Sequence, residues 1–162
     1  MTHQDSIDWS RTRWAEAGQP DPDHFAAMSA VLRLTQAMGA ALDRMLRDQD
    51  LSRTAYLVLA TLRIARDGTL TMSQLSKRLI MHPTTISLVV DQLQTRGLVD
   101  RGPHPSDRRT VLATLTPAGE AALTKTSAAL AAGGYGLDGV SDRLAITLTE
   151  VVRQVRVAIG DE

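Results

Sequence analysis

The sequence predicts a mainly α-helical protein with one small β-hairpin. Three observations lead to this fold class. Apolar residues recur at three- and four-residue spacing along most of the chain, which is the period of an amphipathic helix. Capping residues divide this pattern into consecutive helices. After Gly97 the helical pattern is interrupted by one pair of segments in which apolar and polar residues alternate, and such alternation is typical of β-strands.

Composition excludes several classes of protein. The chain has 162 residues, of which 43% are hydrophobic, enough to form a core. Aromatic residues are only 3%, which argues against domains that stack single-stranded bases on aromatic rings. Cysteine is absent, so disulfides, cysteine-containing zinc sites and thiolate catalysis are excluded. The formal net charge is zero, which excludes a uniformly basic protein but not a local basic surface.

No segment has the pattern of a secretory signal or of a membrane span. The N-terminus is polar and acidic, and uncharged stretches such as residues 79–90 reach only 12 residues. A membrane-spanning helix needs roughly 20 apolar residues. We therefore expect a soluble, cytoplasmic protein without membrane contact.

The N-terminal part is predicted to contain an arm followed by a long helix. Residues 1–21 carry both tryptophans, Trp9 and Trp14, and end at a Pro-Asp-Pro break; a short helix fits within this arm. Residues 23–49 have the apolar spacing of one amphipathic helix. A helix of that length exceeds the needs of one small core and is typical of a dimer interface.

Residues 51–116, here called the winged head, are predicted to form three helices and a hairpin. Ser52 caps the first helix, and Thr71 with Gln74 forms a capping box before the second. Pro83 opens the third helix and Gly97 ends it. The apolar stripe of this third helix is Ile86, Val89, Val90 and Leu93.

A hairpin follows Gly97. Strands are expected over residues 98–101 and 110–116, joined by a loop over residues 102–109 that contains two prolines and a charged tip. Helix, turn, helix and β-hairpin in this order form a winged helix-turn-helix.

The chain then returns to a helical pattern. Thr116 and Pro117 start an alanine-rich helix, and the glycines of residues 133–136 predict a flexible linker after it. Ser141 caps a last helix that reaches about Ile159. Its apolar stripe is Leu144, Leu148, Val151, Val152, Val155 and Ile159. We assign residues 22–50 and 117–162 to a helical dimerisation region.

The winged head carries an excess of positive charge. Residues 71–116 contain six basic and three acidic side chains, whereas the rest contains twelve basic and fifteen acidic ones. A local excess of this kind attracts DNA phosphates. Short hydroxyl side chains approach base edges closely, and arginines on a thin hairpin enter a minor groove. The candidate DNA-binding residues are Ser73, Gln74, Lys77, His82, Thr84, Thr85, Ser87 and Gln92 on the helices, and His104, Ser106, Asp107, Arg108 and Arg109 on the wing.

At these residues the chain resembles the MarR family of bacterial transcriptional regulators. The resemblance rests on "LTMSQLSKRLIMHPTTISLVVDQLQTRGLVDR", on the wing "PHPSDRRT" and on the following "VLATLTPAGE". It spans roughly residues 25–160 and does not require the N-terminal arm. It implies a homodimer that binds a pseudo-palindromic operator, usually as a repressor. Asp107-Arg108-Arg109 matches the wing signature of the family, which is an Asp, a variable residue and an Arg. Arg109 takes the last position of this signature, and Arg108 is the alternative for the minor groove.

The resemblance also implies release from DNA by a small aromatic or phenolic effector. Candidate effector-binding residues are Trp14, Met38, Tyr56 and Arg63, each of which has an ordinary structural role as its alternative. We expect no cofactor, no metal site and no enzyme activity, since glycine-rich phosphate loops and nucleophile elbows are absent. The alternative function is a winged-helix protein that binds a protein partner, or DNA without sequence specificity.

Overall fold

The structure is a computed structural model that describes residues 5–161, apart from the side chain of Arg108. Helices and short strands follow one another along the chain. In order they are α1 (Ser6–Glu16), α2 (Pro22–Arg47), α3 (Arg53–Ile64), β1 (Thr69–Thr71), α4 (Met72–Leu79), α5 (Pro83–Thr95), β2 (Val99–His104), β3 (Asp107–Leu115), α6 (Pro117–Ala132), a 3₁₀ turn (Gly134–Gly136) and α7 (Asp142–Ala158). The predicted fold class, mainly helical with a small β wing, is confirmed. The chain forms two compact units, Met1–Ala41 and Leu42–Glu162.

In the first unit, the N-terminal arm contains the short helix that the sequence predicts. Asp5 caps α1 by accepting a hydrogen bond from the Ile7 amide at 3.1 Å. Trp14 stacks on Phe25 with ring centroids 4.0 Å apart and an interplanar angle of 7°. The Trp14 indole Nε1 also donates a hydrogen bond to the Pro20 carbonyl at 2.8 Å. Trp14 therefore ties the end of the arm to the start of α2.

Helix α2 is long and apolar enough, by length and composition alone, to cross a membrane. Its sequence contains no long uncharged stretch, because Arg33 divides it. A charged arginine near the centre of a span costs about 2.5–3.5 kcal/mol on insertion scales. Composition of this kind in one helix near the N-terminus is weak support for a membrane span.

The second unit surrounds one apolar core. Its most buried side chains come from the C-terminal end of α2 and from α3, α4, α5, β2, β3 and α6. They include Val58, Leu59, Leu62, Leu75, Ile86, Val90, Leu93, Val99 and Leu130. The predicted apolar stripe of α5 is thus its buried face, and the opposite face of the helix is therefore directed to solvent.

The predicted helix boundaries agree with the capping geometry. Ser52, Thr116 and Ser141 each accept an N-cap hydrogen bond, and Thr71 and Gln74 form the predicted capping box. After α5, Gly97 adopts a φ of 69°, and two backbone hydrogen bonds, from Gly97 to Gln94 and from Leu98 to Leu93, close the helix end. Local sequence therefore sets the limits of the helix-turn-helix.

The sheet differs from the predicted hairpin. It has three antiparallel strands in the order β1-β3-β2, whereas the sequence analysis missed β1. The wing strands extend to His104 and from Asp107, so the predicted loop over residues 102–109 shrinks to Pro105 and Ser106. Proline at position 103 is accommodated because β2 is an edge strand and its ladder is irregular there. The predicted linker over residues 133–136 contains a 3₁₀ turn instead of irregular chain.

Helix α7 buries no residue of its own, although it carries an apolar stripe. Leu144, Val151, Val152, Val155 and Ile159 are all exposed, at 46–72% of their full areas. An apolar stripe on a surface helix ordinarily packs against another element. This helix therefore presents a face for which the single chain provides no cover among its described residues.

Candidate nucleic-acid interface

Helix α5 presents its polar face to solvent. Thr84, Thr85 and Gln92 are exposed and Ser87 is half-buried, because the opposite side of the helix forms the core. Ser73, Gln74 and Lys77 are exposed on α4. The Gln74 side-chain oxygen accepts a hydrogen bond from the Thr71 amide at 2.8 Å, and its amide nitrogen stays available as a donor. The other side chains named here, on α4 and α5, offer hydroxyl, amide and ammonium groups as hydrogen-bond donors.

A histidine caps the N-terminus of α5. The His82 Nδ1 accepts a hydrogen bond from the Thr84 amide at 3.3 Å, and Pro83 occupies the first helical turn. Acceptance at Nδ1 places the proton of a neutral ring on Nε2, where it can donate outward. The exposed helix end also provides a positive dipole.

Polar side chains hold the wing tip in shape. The His104 Nδ1 accepts a hydrogen bond from the Ser106 amide at 3.2 Å. The Asp107 carboxylate accepts from the Thr110 hydroxyl at 2.7 Å and from the Arg109 amide at 3.0 Å. These two hydrogen bonds, the Thr110 bond first, lower the pKa of Asp107. The hydrogen bond between Arg109 and Asp107 uses the Arg109 backbone amide, so it orders the backbone of the wing tip.

An open groove of about 360 Å³ lies between α4, α5 and the strands of the wing. It brings together the predicted residues Ser73, Ser87 and Arg109. The other residues that line it are Thr71, Met72, Pro83, Arg101, Thr110 and Val111. The start of α4, the first turns of α5 and the wing strands therefore meet in one place.

Arg101 is a groove residue that sequence reasoning did not select. It forms an ion pair with Asp91, which links β2 to α5. The sequence signal was weak, since Arg101 stands before the wing loop and contributed only to the charge count. In the structure Arg101 and Arg109 both line the groove.

The candidate effector-binding residues have partners of their own. Trp14 lines an open pocket of about 570 Å³ together with Trp9, Arg13 and Phe25. The Tyr56 hydroxyl lies 3.2 Å from that of Ser127. The other two residues are Arg63, whose Nε lies 3.0 Å from Glu120 Oε1, and Met38, which is half-buried in α2. Within residues 5–161 the structure places no three His, Asp or Glu side chains close enough to hold a metal ion.

Comparison with known proteins identifies the family. Residues 51–111 match the model of the MarR family. The multiple antibiotic resistance protein MarR of Salmonella typhimurium is 32% identical over 103 residues, which are 61% of this chain and 70% of that protein. The chain belongs to the MarR family.

Solved structures of MarR-family regulators have the same fold. Sco5413 of Streptomyces coelicolor superposes with a TM-score of 0.77 at 30% identity, over 85% of this chain and 96% of that one. Sco3205 of the same organism, solved in complex with DNA, gives a TM-score of 0.71 at 26% identity, over 80% and 82% of the two chains. This protein is a MarR-family transcriptional regulator with a winged helix, and it is not an enzyme.

Proposed function

We propose that this MarR-family regulator binds double-stranded DNA in a sequence-specific manner, with α5 in the major groove and the wing in the minor groove. The groove shared by α4, α5 and the wing carries the proposal, because it places Ser73, Ser87 and Arg109 on one surface. A helix fits the major groove, and an arginine on a thin hairpin fits the minor groove. The other candidate residues of α4, α5 and the wing supply phosphate and base contacts around them.

The proposed regulator acts as a homodimer on a pseudo-palindrome. The uncovered apolar stripe of α7 supports this assembly, as does the exposure of Met28, Val31 and Leu32 on α2. Two heads related by a twofold axis read half-sites one helical turn apart, about 10 bp. A dimer that covers a promoter in this way represses transcription, and its place of action is the cytoplasm.

We further propose that a small aromatic or phenolic effector releases the DNA. The pocket beside Trp14 supports this, because Trp9, Phe25 and Arg13 also line it; an effector carboxylate would compete with Glu16, which pairs with the Arg13 guanidinium at 2.8 Å. An apolar pocket with one cation suits an aromatic acid. Fluorescence of the two tryptophans provides a direct readout of binding in this pocket.

Selection from a random pool of DNA duplexes, followed by sequencing of the bound fraction, tests the DNA-binding proposal. We expect enrichment of an inverted repeat with half-site centres about 10 bp apart. Retention of DNA without sequence enrichment would favour nonspecific binding. Failure to retain DNA even at low salt, where phosphate attraction is strongest, would favour a protein partner for the winged head.

Replacement of the wing arginine tests the placement of the wing. Arg109→Ala is expected to weaken binding to the selected duplex by about 5- to 150-fold, because an arginine that contacts a DNA groove contributes about 1–3 kcal/mol. Fluorescence anisotropy measures the affinity, and thermal unfolding should be unchanged. Arg33→Ala, which removes an exposed arginine of α2 outside the winged head, serves as the control. Equal affinities of the two variants would contradict the assignment.

A further inference from the structure

The outward face of α5 contains one large apolar side chain. Leu88 is 60% exposed, although its helix buries four other apolar residues in the core. It lies four residues after Thr84 and four residues before Gln92, so these three residues form one line along the helix. Leu88 is therefore the apolar member of an otherwise polar row.

The position of Leu88 is opposite to the core. At 3.6 residues per turn, Leu88 lies about half a turn from the middle of the stripe formed by Ile86, Val90 and Leu93. Rotation of the helix cannot bury Leu88 without exposing this stripe. Packing within the chain thus gives no reason for an apolar side chain here, and only a molecule that contacts the outward face removes Leu88 from water.

A single exposed leucine is common on protein surfaces and has no meaning by itself. This one lies on the helix whose first turns line the groove with Arg101 and Arg109. The row around it consists of hydroxyl and amide side chains, which hydrogen-bond to base edges in the major groove. The major-groove edge of a base pair presents one apolar group, the C5-methyl of thymine.

We infer that Leu88 is a specificity-determining residue that contacts the C5-methyl group of a thymine in the operator. This inference rests on the proposed function, since it assumes that α5 enters the major groove. Leu88 selects an A·T pair at one position of each half-site by apolar contact, whereas Thr84 and Gln92 offer hydrogen bonds on either side. Loss of one methyl from such a contact corresponds to about a fourfold loss of affinity.

The test removes the methyl group and the side chain separately and together. The probe is the duplex enriched by the selection described above, with each thymine replaced in turn by deoxyuridine, which lacks only the C5-methyl. The wild-type protein is expected to lose about fourfold in affinity at one thymine of each half-site. Leu88→Ala is expected to bind the unmodified duplex more weakly and to be insensitive to deoxyuridine at that same thymine. Leu88→Met, which keeps an apolar side chain, should retain the sensitivity.

Thr95→Ala is the matched control, because Thr95 is exposed on the same side of α5 at its C-terminal end. It is expected to keep the wild-type response to deoxyuridine. If a duplex is enriched but Leu88→Ala remains as sensitive to every deoxyuridine as the wild type, the inference is overturned while the proposed function stands. If no sequence is enriched, the proposed function fails and the role of Leu88 fails with it.

Discussion

At the scale of single residues, the join between the wing and α6 depends on a glycine that cannot carry a side chain. A Cβ atom at Gly119 would lie 2.0 Å from the Leu98 carbonyl oxygen and 2.8 Å from the Leu115 Cδ1. The first turn of α6 therefore packs directly on the backbone that leaves α5. This contact fixes the base of the wing relative to the helix that precedes it.

Gly119→Ala is expected to destabilise the protein by at least about 2 kcal/mol, at the upper part of the range for overpacked sites. The neighbouring atom belongs to the backbone, so it cannot move aside, and the higher helix propensity of alanine offsets only about 1 kcal/mol. Chemical denaturation measures the difference. Gly102→Ala is the control, since no heavy atom lies within 4 Å of its Cβ position. Equal stability of the two variants would show that the join is not tightly packed.

At the scale of elements, the wing is held by its own hydrogen bonds. Asp107 accepts two of them, from the Thr110 hydroxyl and the Arg109 amide, and its pKa is lowered as a result. A carboxylate whose pKa is lowered in the folded state stabilises that state at pH values above about 3.9, the ordinary pKa of aspartate. This contribution is lost only as the pH falls below that value. The wing tip should therefore keep its shape throughout the neutral and mildly acidic range.

Titration of the Asp107 carboxylate by NMR tests this account of the wing. In the wild type, Asp107 should titrate below the usual range for aspartate, and in Thr110→Val its pKa should rise towards about 3.9, because the stronger hydrogen bond is removed. Thr114→Val is the control, since the Thr114 hydroxyl contacts Thr69 rather than a carboxylate. A titration of Asp107 that is unaffected by Thr110→Val would assign the shift to another group.

The elements differ in how far the sequence determined them. Helix boundaries were predictable because a cap is a local interaction, as at Ser52 and Thr71. Strand β1 was not predictable, because a three-residue strand depends on its pairing with β3, and Thr69 meets Thr114 only in the folded chain. The wing strands were predicted too short because prolines usually interrupt strands, whereas Pro103 lies on a sheet edge.

The candidate interface was predictable in type more than in arrangement. The hydroxyl side chains near Pro83 and the charged side chains near Asp107 could be recognised from the residue types alone. The ion pair between Arg101 and Asp91 was not, since it joins a strand to a helix across the hairpin base. The exposure of Leu88 was also missed, although Leu88 lies about half a turn from the predicted apolar stripe of α5, because its neighbour Val89 is part of that stripe.

At the scale of the whole molecule, the proposed homodimer accounts for the exposed apolar stripe of α7. Helix α7 has 17 residues and buries none of them, yet its apolar residues follow the spacing of a packed helix. Exposed apolar stripes of this length mark interaction sites in soluble proteins. A second copy of the chain provides a matching stripe by symmetry, which is how a twofold interface is built.

A charge placed in the stripe of α7 tests this assembly. Val155→Glu puts a carboxylate at a position that is 54% exposed in the single chain and buried in the proposed dimer. Burying an unpaired carboxylate costs several kcal/mol, so we expect this variant to be monomeric in analytical ultracentrifugation while its winged head remains folded by circular dichroism. Thr149→Glu adds the same charge about a third of a turn around the helix and should leave the dimer intact.

The monomeric Val155→Glu variant should also bind a single half-site about as well as the full inverted repeat, because it has lost the second head that raises the affinity for the repeat. A dimeric Val155→Glu variant would place the subunit contact on another surface and leave the apolar stripe of α7 without an explanation.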